Sequence, residues 1–125
     1  MKTRNTNQRL KVLGYLKSVK THPTAEMVYN EVKKELPAIT LATVYRNLNL
    51  LAEHGNILRL EINNEYRYDA DTRHHQHCVC KECGQIHDIY NKNISKNILS
   101  LFSLKNFKPQ SVDIIYRGLC NKCYD

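Results

Sequence analysis

The stretch Thr40–Tyr68, TLATVYRNLNLLAEHGNILRLEINNEYRY, changes its hydrophobic period once, and that change decides the fold. Leu41, Val44, Leu48 and Leu51 form an apolar stripe at helical spacing, with Thr40 as N-cap and Gly55 as the stop. The opposite face is Ala42, Thr43, Tyr45, Arg46, Asn47 and Asn49, small and hydrogen-bonding with one charge. After Gly55 the period falls to two. Leu58, Leu60 and Ile62 alternate with Arg59 and Glu61, Asn63-Asn64 offers a turn, and Tyr66 and Tyr68 alternate with Arg67.

Working outward, Thr24 caps a second helix with Glu26 in its first turn. Ala25, Val28, Tyr29, Val32 and Leu36 form its apolar face, and Pro37 ends it. A short amphipathic helix over Gln8–Leu16, with Thr6 as N-cap, buries Leu10, Val12, Leu13, Tyr15 and Leu16 and turns Arg9, Lys11 and Lys17 outward. Three helices and a hairpin make a winged helix-turn-helix. In the second half, Cys78–Tyr90 reads as a strand and knuckle, Ser95–Phe102 as a short helix and Ser111–Leu119 as a strand. The fold class expected is therefore α+β, with a winged helix-turn-helix domain over 1–69, a polar hinge over 70–77 and a small α/β domain over 78–125.

A half of ~60 residues buries too little surface to be comfortably stable alone, so a metal or a partner subunit must help it. Cys80-x-x-Cys83 and Cys120-x-x-Cys123 are two knuckles that together supply four soft ligands for a closed tetrahedral Zn2+ site. Free core cysteines or a redox pair are the other readings, but paired CxxC spacing rarely arises from packing alone. Cys78, the fifth cysteine, reads as a small apolar residue beside the site or a spare thiol. The run His74-His75-Gln76-His77 carries the second constellation. In an extended segment His75 and His77 point to one side, and with Asp69 and Asp88 they offer nitrogen and oxygen donors suited to Fe2+, Mn2+ or Zn2+. A solvent-exposed His-rich loop is the competing reading, and His22 by itself reads as a structural histidine.

No apolar run approaches the ~18 residues needed to span a bilayer, and the polar N-terminus has no apolar signal core behind it. A cytoplasmic protein with no membrane partner is expected, in which paired cysteines hold metal rather than disulfides. The net charge is +7, and residues 1–25 carry six basic side chains without one Asp or Glu. Such a run is either a solvated helix face or the electrostatic footprint of a polyanion.

Taken together, Thr6-Asn7-Gln8-Arg9, His22-Pro23-Thr24-Ala25-Glu26, Ala42-Thr43-Val44-Tyr45-Arg46-Asn47-Leu48 and His75-x-His77 leading into Cys80-x-x-Cys83-Gly84 resemble the ferric uptake regulator (Fur) family over essentially the whole chain. The resemblance implies a homodimeric, metal-dependent repressor that binds a double-stranded DNA operator, not an enzyme, with the second domain serving dimerisation. It places Cys80, Cys83, Cys120 and Cys123 on structural zinc, one ion per chain. It places His22, Asp69, His75, His77 and Asp88 on a regulatory Fe2+ or Mn2+.

Asp rather than Glu at positions 69 and 88 is similar to the peroxide-sensing branch, in which Fe2+ and hydrogen peroxide oxidise a ligand histidine, at positions matching His22 and His75, and DNA is released. Val112 and Gln76 depart from iron-type members, which carry metal-binding His and Asp there. For DNA, Tyr45 and Arg46, with Thr43 and Asn47, are expected in the major groove, and Arg4, Arg9, Lys11 and Lys17 on phosphates. The rival readings are an iron- or zinc-uptake regulator of the same family and a zinc-stabilised interaction module without DNA binding. A zinc deaminase also combines His with CxxC, but it needs a Glu two residues after its His, and His75-Gln76-His77 has none.

Overall fold

The computed structural model describes residues 4–73, 75–110 and 112–124. The side chain of Arg4, expected on a phosphate, and all of His74 lie outside the described residues. The chain divides into two compact units, Met1–Thr72 and Arg73–Asp125.

The first unit comprises α1 (Arg4–Ser18), α2 (Ala25–Val32), α3 (Leu41–Glu53), β1 (Leu58–Ile62) and β2 (Glu65–Asp69). Local chemistry explains most of the boundaries. Thr24 Oγ1 accepts from Met27 N–H at 3.2 Å, and Thr40 Oγ1 from Thr43 N–H at 3.2 Å, so each cap satisfies one orphan donor of its helix. Gly55 ends the α3 segment at φ +76°, a left-handed position that glycine occupies without steric cost. Asn63 and Asn64 both have positive φ (54° and 64°), which is what a two-residue hairpin turn of matching twist requires, and Ile62 pairs with Glu65.

Several expectations for this unit are corrected. Helix α1 begins at Arg4, so Thr6 lies inside it and is not its cap. Leu10 is exposed, whereas Gln8 is buried in line with Val12 and Leu16, because i, i+4, i+8 defines the inward face regardless of polarity. Helix α2 stops at Val32 rather than reaching Pro37, and the chain tightens into i→i−3 bonds at Lys34 and Glu35. One core, including Val12, Leu16, Val28, Val44, Leu48, Ile57 and Tyr68, holds the three helices against the hairpin.

The second unit is a three-stranded sheet with a helix α4 (Lys92–Leu101) between its second and third strands in sequence. The central strand β3 (Gln76–Cys80) pairs antiparallel with β4 (Ile86–Ile89) and parallel with β5 (Ile115–Gly118). Gln76 and His77, read from the sequence as hinge, are the first residues of β3. Helix α4 starts three residues earlier than Ser95 because Asn91 caps it, accepting from Asn93 N–H at 3.0 Å. The expected strand over 111–119 shortens to Ile115–Gly118, and Val112 lies outside it.

Burial separates the units sharply. Among the described residues of the second unit only Val79 and Cys80 are buried apolar side chains, while Ile98, Leu101, Phe102, Leu104, Phe107, Tyr116 and Leu119 are exposed. No helix among the described residues is long and apolar enough to cross a membrane.

Candidate metal centres and nucleic-acid face

In the second unit, the first knuckle grows from the end of β3. Cys80 is the strand's last residue, and the turn after it closes through Gly84 N–H to Cys80 O at 3.0 Å, with Gly84 at φ +75°. The parallel register places Cys80 opposite Gly118, and Lys81 N–H donates to Gly118 O at 2.8 Å. That brings the Cys120–Cys123 turn alongside. All four sulfurs lie within 4.8 Å of one another, and Cys83 Sγ is 3.8 Å from Cys120 Sγ. Four thiolates at ~2.3 Å from one zinc ion form a tetrahedron of edge about 3.8 Å, so the donor set fits that ion.

Thiol chemistry supports the same reading. The backbone N–H groups of Cys83 and Cys120 lower the Cys80 thiol to about 6, making it a thiolate at neutral pH. Cys123 is pushed up to about 12 by the sulfurs of Cys120 and Cys80. Cys83 is also raised: the backbone N–H of Gln85 lowers it, but Cys80's sulfur and burial outweigh that. Four sulfurs this close cannot all ionise without a cation among them.

The remaining ligand candidates are described unit by unit. In the first unit, His22 Nε2 lies 3.2 Å from Asp69 Oδ2, and both residues are buried. Tyr68 N–H donates to Pro23 O at 3.0 Å, tying the His22-Pro23 turn to β2 beside Asp69. In the second unit, the Nε2 atoms of His75 and His77 each lie 3.4 Å from Asp88 Oδ1, and the two rings are 4.3 Å apart. The same-side geometry expected from period two is present. The register pairs His77 with Asp88 across the sheet. His75 Nδ1 sits 2.5 Å from Arg73 O, a contact that leaves Nε2 as the lone-pair nitrogen when Nδ1 donates.

Between the two imidazoles, Gln76 is fully buried: Nε2 donates to Asn91 O at 3.1 Å and to Ser95 Oγ at 3.0 Å, and Oε1 accepts from Asn91 N–H at 3.3 Å. It ties the start of α4 to β3. One glutamine among histidines carries no signal of burial in the sequence.

The expected DNA-contacting residues are distributed unevenly. Tyr45 and Arg46 are exposed on α3, with Ala42 and Asn49 on the same stripe; Asn49 Oδ1 accepts from Arg59 Nη1 at 3.1 Å. A core role for Tyr45 is thereby excluded. Asn47 is only 2% exposed, which corrects its placement on the outer face: it is i+3 from Val44 and belongs to the buried stripe. Thr43 Oγ1 is engaged with Thr40 Oγ1 at 3.0 Å. Arg9 is half-buried, Lys17 is exposed in the last turn of α1, and Lys11 pairs with Glu35 at 2.6 Å. That pair is solvent-exposed, so it holds Lys11 only weakly.

A winged helix joined to a thiolate knuckle and a buried set of imidazoles and carboxylates defines a metal-responsive regulator. The profile of the ferric uptake regulator family matches residues 1–117, and the chain belongs to that family, whose members are transcription regulators rather than enzymes. The peroxide-responsive repressor PerR of Staphylococcus aureus (strain USA300) is 31% identical over 123 residues, covering 98% of this chain and 83% of that protein. Among solved structures, the Campylobacter jejuni peroxide stress regulator is 35% identical with a TM-score of 0.77, over 96% of this chain and 91% of that one. The Helicobacter pylori ferric uptake regulator Fur is 27% identical with a TM-score of 0.85, over 98% and 85%.

Proposed function

We propose that the protein is a homodimeric, cytoplasmic, metal-dependent DNA-binding repressor that responds to hydrogen peroxide. The observation that carries this reading is the burial of imidazoles against carboxylates in each unit's own fold: His22 with Asp69, and His75 and His77 with Asp88. Buried ionisable groups are costly unless paired or bound to a cation. Nitrogen and oxygen donors suit Fe2+ or Mn2+, whereas the four thiolates suit one structural Zn2+ per chain. The same five residues match the regulatory ligands that the family resemblance implies.

One regulatory ion drawing on residues of both units would restrict their relative orientation. A dimer that reads two half-sites needs that orientation, so operator affinity follows metal occupancy as a population shift. When bound, Fe2+ would supply Lewis acidity and a reducing centre for peroxide, while Zn2+ would supply Lewis acidity alone. The chain's own contribution is to orient the imidazole rings through the backbone and carboxylate contacts described above. The likeness to peroxide regulators at 31% and 35% identity supports the peroxide signal.

The test is operator binding by the zinc-replete, otherwise metal-free protein, titrated with Mn2+, Fe2+ and Zn2+ and then challenged with peroxide. Expected are restoration by Fe2+ and Mn2+, and loss on peroxide only with Fe2+, accompanied by an added oxygen on His22 or His75 by mass spectrometry. Peroxide-insensitive binding restored by Fe2+ or by Zn2+ would identify an iron- or zinc-uptake regulator instead. Failure to bind any duplex at low salt would leave an interaction module.

Base reading is assigned to Tyr45 and Arg46. Arg46→Ala should reduce discrimination between operator and scrambled duplex by about 1–3 kcal/mol, whereas Lys17→Ala should weaken both alike and flatten the salt dependence. Competition anisotropy at two salt concentrations separates the two effects.

A further inference from the structure

We propose that Arg67 is a positioning residue for His22, holding its backbone in the conformation that presents the imidazole to metal; this rests on the reading of His22 as a regulatory ligand. His22 has φ +54°, in the left-handed region that side-chain-bearing residues rarely adopt, and it is followed by Pro23, which pushes its preceding residue toward extended geometry. Such a conformation persists only where its surroundings over-determine it.

The surroundings here are supplied by one strand. Arg67 Nη1 donates to His22 O at 3.3 Å, the next residue's N–H (Tyr68) donates to Pro23 O at 3.0 Å, and the residue after that, Asp69, reaches the His22 ring. Asp69 is itself steadied by Asp71 N–H, which donates to Oδ1 at 2.9 Å. Three consecutive residues of β2 thus grip the turn at His22's carbonyl, at Pro23's carbonyl and at the imidazole.

The guanidinium suits this role better than another donor. Its planar fork also reaches Met27 Sδ at 3.7 Å and Glu65 Oε1 at 3.6 Å, so the head group is fixed from three sides. The Arg67 side chain is 23% exposed. A basic residue of the DNA-reading unit is here turned inward, spent on a metal-ligand turn and not offered to phosphates. Simple strand alternation gave no hint of this, because a polar residue between two tyrosines reads as solvent-facing.

The experiment measures Mn2+ affinity of zinc-replete full-length protein without DNA, by calorimetry, with Mn2+ electron paramagnetic resonance reporting free ion. Arg67→Gln should weaken Mn2+ binding about 10–100-fold, the usual effect of losing a residue that orients a ligand. Zinc content and thermal midpoint should stay near wild type, and Arg67→Lys, which keeps one donor, should recover part of the affinity. In a His22→Ala background, Arg67→Gln should cause no further loss, because both changes act through one ligand.

Unchanged Mn2+ affinity in Arg67→Gln while His22→Ala weakens binding overturns the positioning role; so does an additive loss in the double variant. If His22→Ala itself leaves Mn2+ affinity unchanged, the ligand assignment fails, and the positioning role fails with it. Arg67→Met keeps the apolar stem and removes every donor; should the glutamine variant misfold, it is read by the same criteria.

Discussion

Cys120→Ser protein is expected to carry no structural zinc and to leave residues 73–125 unfolded while residues 4–72 keep their helices. The asymmetry follows from burial. The first unit closes on a core from Val12 to Tyr68, but the second has only Val79 and Cys80 as buried apolar side chains among its described residues. Apparent zinc-binding free energies of about 10–16 kcal/mol in small four-ligand sites match or exceed the ~5–15 kcal/mol that holds a typical domain together. Zinc analysis per chain, far-UV circular dichroism and limited proteolysis releasing a fragment ending near Thr72 test this. Retained amide protection in β3 and β5 of the zinc-free variant would overturn it.

The sign of the pH effect also follows. Cys80 is held at about 6, and Cys123 at about 12 must surrender a proton to bind, so zinc uptake releases protons and zinc retention weakens as pH falls.

Local features of this fold were legible in the sequence because their causes are local. Thr24 and Thr40 cap helices within three residues, Asn63-Asn64 makes its own turn, and each CxxC sets its own knuckle. Where polarity was used to assign a face, the reading failed. Gln8 and Asn47 occupy inward positions that helix geometry dictates, and Leu10 is turned to solvent. The start of α1 was missed because a polar helix start carries no apolar period.

Long-range pairing was out of reach. Nothing in either segment announces that β5 runs parallel to β3, yet that register is what assembles the four thiols. The contact of His22 with Asp69 spans two elements far apart in sequence, and only the family resemblance joined the two residues in one ligand set. Arg67 was invisible for the same reason: its partner is a carbonyl on a distant turn.

Asp88→Ala should abolish the metal dependence of operator binding without loss of structural zinc. Asp88 is the one carboxylate facing both His75 and His77 among the described contacts of the second unit, each at 3.4 Å, so its removal takes away a donor and the partner that orients two others. If metal and DNA are coupled through the hinge, metal should raise operator affinity by about 5–150-fold in the wild type, and that factor should fall to about one in the variant. Asp88→Asn, which preserves shape but not charge, separates loss of ligation from loss of packing. Linkage gives an internal check on the two measurements: whatever factor Mn2+ adds to DNA affinity, operator DNA must add to Mn2+ affinity. A variant that binds Mn2+ normally but shows no coupling would place Asp88 in signal transmission and outside the ligand set. A variant with undiminished coupling would remove Asp88 from the sensing step.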